Sequence, residues 1–242
     1  MRLPGLTVAI PTMNRWSFLK TQLPKYLDNP KITNVVICDE TGDDVEAICQ
    51  EGYDRNSKLR LYVNDTVLGV YGNKRKCILH SPTEWVAILD SDNRFETDFF
   101  DAFWEAVALD GMSPKKTIYA AGENIRLDLK TGLTENRTEH FSGKLINRIN
   151  WNSVLQTQGW NFLLNDGNWI APTRVVEHFP ELEESSIVGT DSIFMMRQMI
   201  LAGYTLRLEP KMKYIHTVHD GSHWLQTAAV SSRLLGSRSW TV

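Results

Sequence analysis

Four short apolar runs punctuate the first ninety or so residues, and each stops at residues that favour turns. Leu6 to Ile10 ends at Pro11-Thr12, Asn34 to Cys38 at Asp39-Glu40, Leu59 to Val63 at Asn64-Asp65, and Trp85 to Leu89 at Asp90-Ser91-Asp92. Stretches with helical character separate them. Trp16 to Leu27 places Phe18, Leu19, Leu23 and Leu27 at helical spacing, with Ser17 a candidate cap and Pro24 predicting a kink or an early stop. Asp43 to Tyr53 carries acids in its first turn, which suits the helix dipole. Val70 to Leu79 follows Gly69, and Glu96 to Leu109 is rich in Phe and Trp. Strands alternating with helices predict βαβ units, right-handed crossovers and a mainly parallel sheet with helices on both faces. The expected fold class is α/β, one domain over residues 1–242.

The second half is less regular. Thr117 to Ala121 predicts a strand, and Lys130-Thr131-Gly132 a turn between two short strands within the polar stretch Asn124 to Glu139. Trp151 to Leu164 follows no single period, with a loop expected at Gln156 to Gln158. Asn168 to Ala171 predicts a strand and Val175 to His178 a short helix. Asp191 to Ala202 predicts a helix whose stripe of Ile193, Met195, Met196, Met199 and Ile200 reads as core rather than as a cofactor box. Thr205 to Leu208 predicts a strand ended by Glu209-Pro210, and a polar, His-rich tail follows from His216.

Composition excludes several classes. With 42% hydrophobic and 23% charged residues the chain is ordinary for a globular protein, and a net charge of -3 argues against non-specific attraction to nucleic acid. Three cysteines, Cys38, Cys49 and Cys77, are too scattered for a disulfide framework or a zinc site, which fits a reducing compartment. No apolar stretch suggests a leader or a membrane span, so the expected place is the cytoplasm.

The chemistry concentrates at strand ends, where open α/β sheets bind ligands. Asp90 and Asp92, spaced i and i+2, could converge on one hard divalent cation; the alternative is an Asp-rich turn that solvates a strand end. Asp39 could accept an N–H from a nucleotide base or cap a turn. Pro11 and Thr12 could hold a nucleoside with backbone groups or simply end a strand. Lys74 could neutralise phosphate or lie on a solvated helix face. Asp191 could act as a base or start its helix as a cap. His216, His219 and His223 lie close enough in sequence for a metal-site hypothesis. Trp160 and Trp169 could stack on a sugar, although Trp is more often core.

Taken in order, these segments resemble the inverting glycosyltransferases of family 2, which have the GT-A fold. The resemblance runs from Leu6 to about His219. Val8 to Arg15 resembles the strand and loop that hold the nucleoside, Val35 to Glu40 the strand whose first Asp reads the base, and Leu68 to Arg75 the Gly-rich segment before the third helix. Trp85 to Asp92 resembles the strand carrying the Asp-x-Asp motif. Asn168 to Arg174, followed by Phe179-Pro180-Glu181, resembles an acceptor-side segment. Gly189-Thr190-Asp191 resembles the Gly-Glu-Asp motif that supplies the base, and Pro210 followed by His216 the late strand with a metal-binding His. Thr190 stands where Glu is usual, Lys74 where Arg is common, and Arg75 where Asn is common.

The resemblance implies a nucleotide-sugar-binding half at residues 1–115 and an acceptor-binding half at 116–242. It implies transfer from a nucleotide sugar, a UDP-sugar above others, to a hydroxyl of a glycan, with inversion and with Mn²⁺ or Mg²⁺. Asp191 is the implied base. Asp90, Asp92 and His216 are the implied metal ligands, with His219 the alternative to His216. Pro11, Thr12, Asn14, Asp39, Gly69, Lys74, Asp90, Ser91 and Trp169 are the implied donor contacts. A nucleotidyltransferase is the other enzymatic reading, although the loop after the first strand lacks the Gly-rich, basic pattern such enzymes carry. A nucleotide-sugar-binding module without catalysis is the non-enzymatic one.

Overall fold

A computed structural model describes residues 2–110, 114–183, 187–237 and 240–242. The elements run β1 (Leu3–Thr12), α1 (Trp16–Asp28), β2 (Asn34–Asp39), α2 (Asp43–Gln50), β3 (Leu59–Val63), α3 (Gly69–His80) and β4 (Thr83–Ile88). They continue with β5 (Arg94–Phe95), α4 (Phe99–Leu109), β6 (Thr117–Asp128), β7 (Thr134–Glu135), β8 (Leu145–Ile146), α5 (Trp151–Val154) and α6 (Trp160–Leu164). The last are β9 (Trp169–Pro172), α7 (Asp191–Leu201), β10 (Thr205–Val218) and α8 (His223–Ser237).

Ten strands among the described residues form one sheet, ordered β3-β2-β1-β4-β9-β6-β10-β5, with β7 beside β6 and β8 beside β10. β1 to β4 are parallel, and β6 is parallel to β10. The short β9 lies antiparallel between β4 and β6, which joins the two parallel groups in the same direction. The sheet has a core on each face, set by the alternation of side chains along a strand. Val8 and Ile10 of β1, Val35 and Ile37 of β2 and Trp85 and Ala87 of β4 meet α1 and α4 through Leu19, Leu23, Phe99 and Phe103. Ala9, Val36, Cys38, Val86 and Ile88 face the other way, toward Tyr71, Cys77 and Ile78 of α3 and the Ile193–Met199 stripe of α7. That stripe is core, as its spacing predicted.

Several expectations are corrected. α1 continues through Pro24 to Asp28, held by buried Leu23, Tyr26 and Leu27, so packing overrides the local penalty. Its cap is not Ser17. Asp44, from the start of α2, accepts the backbone N–H of Arg15 at 2.8 Å and of Trp16 at 2.7 Å, and also the Thr12 hydroxyl. The second helical stretch ends at Gln50, and a short 3₁₀ turn covers Tyr53–Arg55. β10 does not stop at Glu209-Pro210. It crosses Pro210 with a register shift against β6 between Glu209 and Lys213, an irregularity that tolerates the missing N–H of proline. Gly122 stands opposite, where a Cβ would come within 2.6 Å of the Glu209 carbonyl oxygen. The polar tail after His216 becomes the end of β10 and then α8. No described helix is long and apolar enough to cross a membrane.

Candidate active site

The ends of β1, β2 and β4, the start of α3, the start of α7 and the end of β10 surround a cleft of about 670 Å³. Pro11, Thr12 and Asn14 enter it from the end of β1, and Asn14 has a left-handed φ of 56°, which Asn accepts more readily than most residues. Asp90, Ser91 and Asp92 follow β4, Gly69 and Lys74 come from α3, Asp191 opens α7, and His216 comes from β10. The structure therefore brings these ten expected residues to one cleft.

Lys74 links two of the carboxylates. It is 2% exposed, and its Nζ lies 2.8 Å from Asp90 Oδ1 and 2.8 Å from Asp191 Oδ2, while donating to Ser192 Oγ at 2.9 Å. Burial works against the ammonium, but Asp191 and Asp90 more than offset it and hold Lys74 above the usual lysine range. The charge thus persists at any physiological pH. Asp191 is 5% exposed. Thr190, fully buried, donates its hydroxyl to the Ile187 carbonyl at 3.0 Å and leaves Asp191 as the carboxylate of this loop.

Asp92 has different partners. Arg15 Nε lies 3.8 Å and His219 Nε2 3.2 Å from its Oδ2. The His219 ring packs on Phe18 at 4.6 Å between centroids, and its Nδ1 accepts the Gly221 N–H at 3.2 Å. An accepting Nδ1 assigns the proton of a neutral imidazole to Nε2, which then donates to Asp92. Arg15 Nη2 also donates to the Gly221 carbonyl at 2.6 Å, so the segment after β10 is tied back onto the loop after β1.

The expected metal set is not assembled. Among the described residues, no three His, Cys, Asp or Glu side chains converge as ligands. His216 is not at Asp92; its Nδ1 lies 3.0 Å from Asp166 Oδ1, off the hydrogen-bond direction. Burial pulls His216 down, and Asp166, with Asp92 and Asp90 behind it, raises it above its ordinary value. His219 is the histidine beside Asp92, but its Nε2 is committed as a donor. The His223 side chain lies outside the described residues. The residues present thus do not make a preformed cation cage, and Asp92 differs from Asp90 in having no bond to the buried Lys74 ammonium.

Two expected donor contacts lie away from the cleft. Asp39 is fully buried and accepts the N–H groups of Thr41 at 3.1 Å and Val45 at 3.0 Å, which is the turn-and-cap alternative. Glu40 takes the place in the cleft wall: its Oε2 accepts from Leu68 N at 2.8 Å, and its buried Oε1 has no partner among the described residues. Trp169 is 1% exposed in β9 and packs in the core beneath the cleft. Trp160 packs against the same core.

Two other residues at the site escape sequence reasoning: Asp166, which lines the cleft, and Gly167, which meets Asp90. Asp166 accepts from Asn124 at 2.6 Å, and Gly167 N lies 3.3 Å from Asp90 Oδ2. A Cβ on Gly167 would stand 3.0 Å from that oxygen, so any larger residue there would press on the Asp90 carboxylate. The available signal was the Asp166-Gly167 pair, a turn signature directly before a strand.

Residues 7–201 match the model of glycosyl transferase family 2, and the chain belongs to that family. Among solved structures it is similar to S. aureus TarS 1-349 in complex with UDP-GlcNAc, at 16% identity and a TM-score of 0.65 over 97% of this chain. It is also similar to S. aureus TarS 1-349 in complex with UDP, at 17% identity and a TM-score of 0.62 over 96% of this chain. The chain spans 61% and 64% of those two TarS chains. These likenesses establish the GT-A fold. No curated protein matches the chain.

Proposed function

We propose that this protein transfers a sugar from a nucleotide-sugar donor, a UDP-sugar, to a hydroxyl of a glycan acceptor with inversion at the anomeric carbon. The observation that carries this reading is the placement of Asp191. It opens α7 at the cleft rim and is bridged by one buried ammonium to Asp90 at the end of β4. Family membership removes the nucleotidyltransferase reading.

The nucleoside lies over Pro11, Thr12 and Asn14, with Glu40 Oε1 available to a base N–H. The acceptor hydroxyl oxygen attacks the anomeric carbon, Asp191 takes its proton, and the bond to phosphate breaks with the electron pair leaving on the nucleoside diphosphate. Lys74 keeps Asp191 oriented and neutralises Asp90, so that a diphosphate does not meet two uncompensated carboxylates. Arg15 offers a guanidinium on the Asp92 side. A divalent cation brought by the diphosphate would take Asp92 as its protein ligand, because such ions are commonly held by one or two carboxylates plus substrate phosphates; bound, it would neutralise phosphate charge.

A panel of UDP-, GDP-, dTDP- and CMP-sugars, with Mn²⁺, Mg²⁺ or chelator, tests the reading through thermal shift and release of free nucleotide. Stabilisation and slow hydrolysis are expected with a UDP-sugar, and Asp92→Ala should lose the cation-dependent part. Failure of every nucleotide sugar to bind or turn over would defeat the proposal and leave the non-catalytic module, if nucleotides alone still bind.

A further inference from the structure

Arg126 enters the cleft from the outer half of β6, two residues from Asn124 on the same face of the strand. Its register neighbours are His216 on β10 and Glu135 on β7. Neither engages it. His216 lies by Asp166, and Glu135 Oε2 pairs with Arg137 Nε at 2.6 Å. Lys74 is placed between Asp90 and Asp191, and Arg15 lies beside Asp92. Among the described residues no carboxylate reaches ion-pair distance of the Arg126 guanidinium. The half-exposed Asp128 feels Arg126 only after the hydrogen bonds from the Thr131 and Lys130 backbone.

A second cavity, of about 460 Å³, opens beside the cleft and shares Glu135, Arg137 and Phe162 with it. It continues to His140 and Gln158. The Arg137 guanidinium lies over the Phe162 ring, 4.5 Å from its centroid. Phe162 belongs to α6, and Asn165, just past that helix, donates to the Gly189 carbonyl at 3.1 Å beside the Asp191 loop. The second cavity therefore extends outward from the region of the base. Its lining residues all come from the second half of the chain.

We propose that this cavity, together with the adjoining second-half wall of the cleft where Arg126 lies, is the acceptor site and that the acceptor bears a phosphate or carboxylate group engaged by Arg126. The proposal rests on the glycosyltransferase reading and adds the charge class of the acceptor. A guanidinium presents a planar fork of donors that matches either anion, and a neutral acceptor would leave Arg126 half-buried without a counter-charge. The donor diphosphate does not account for it. β6 is two strands from β4, with β9 between, an offset of about 10 Å at ordinary strand spacing. Phe162 offers the apolar face against which a sugar ring can lie.

The test uses matched pairs on the whole chain, with and without UDP: glucose against glucose 6-phosphate, and glucose against glucuronate, followed by saturation-transfer NMR and calorimetry. The charged member of at least one pair should bind roughly tenfold or more tightly, with a preference that weakens at high salt. Arg126→Gln should abolish that preference, and Arg126→Lys, which keeps the charge but loses the fork, should retain part of it. The phosphate and carboxylate arms identify which anion is read. No preference in the wild-type protein, or a preference that survives Arg126→Gln, overturns the proposal. So does a loss of UDP affinity in Arg126→Gln, which would make Arg126 a donor contact. Failure of UDP itself to bind the wild-type protein counts against the glycosyltransferase reading instead, because the charge preference is also measured without UDP.

Discussion

β2 is buried along its whole length and β1 from Leu6 onward, whereas β6 is buried from Ile118 to Gly122 and half-exposed from Ile125 to Asp128. β1 delivers its last residues, Pro11 and Thr12, to the cleft from inside a packed core, and β2 delivers Glu40, the residue just past its end. β6, with β7 beside it and β10 alongside, delivers its residues from a lip that has left the core. A strand end in the core is fixed by packing on both faces and tolerates few side chains. A lip has one face free, so it can carry Asn124, Arg126 and the Glu135–Arg137 pair at little structural cost. The first-half wall of the cleft is thus the more closely packed one, and the second-half wall, the acceptor side in the function proposed above, is where charge and shape can vary.

Asp191→Asn makes the sharpest separation of the two sides. It keeps the shape and the capacity to accept from Lys74 while removing the base, so transfer should fall by about 10²–10⁴-fold. Donor affinity, measured by calorimetry, should stay within about twofold. Normal turnover would remove Asp191 as the base and with it the functional role given to this end of the cleft.

Lys74→Met strikes the joint between the halves. It leaves the Asp90 and Asp191 carboxylates facing one another without their cation, and breaking a buried pair costs about 3–5 kcal/mol. The denaturation midpoint should fall accordingly, and donor binding and transfer should both suffer. An unchanged midpoint would mean that the two sides hold together without the ammonium.

Gly167→Ala tests a second-half residue that leans on a first-half carboxylate. The new methyl group, 3.0 Å from Asp90 Oδ2, must push it or the loop aside. Donor KM should rise several-fold, with stability reduced by about 1 kcal/mol. A KM equal to wild type would show that the exact position of Asp90 does not matter for the donor.

His216→Gln should have the smallest effect, and a pH-dependent one. The imidazole is raised above its usual 6.5 in the folded protein, so its stabilising contribution is full below that value and is lost as pH rises through the folded value. The stability gap between wild type and variant should therefore shrink between about pH 6 and pH 8. A gap that widens over that range would reverse the assigned interaction with Asp166.

The sequence carried the first half of the sheet in detail. Leu59–Val63 is the predicted β3 residue for residue, β1 and β2 contain their predicted runs with one to three residues added at the ends, and β4 starts two residues early at Thr83 and stops one residue short of Leu89. Short apolar runs bounded by turn residues suffice for these strands, the partly exposed edge strand β3 included. Lys74 was legible as a basic residue near a Gly-rich helix start, but not as a bridge between Asp90 and Asp191, because nothing local in α3 shows that α7 will arrive beside it. Asp39 and Glu40 show the same limit. Either neighbour could face the ligand, and the choice fell to the N–H groups of Thr41 and Val45, which engage Asp39.

The second half was read less well for a related reason. β10 was cut at Pro210, yet the long pairing with β6 carries it past the proline to Val218. The offset from Pro210 singles out His216, but the packing of His219 on Phe18 places that ring, not His216, against Asp92. By itself the chain's pattern of short apolar runs and turn residues determined an α/β sheet with acidic strand ends, because alternation and turn formation are local. Which of those acids meet, what cation lies between them and which arginine of the cleft has no ion pair among the described residues were decided only by the tertiary structure, since these depend on segments distant in sequence packing at one edge of the sheet.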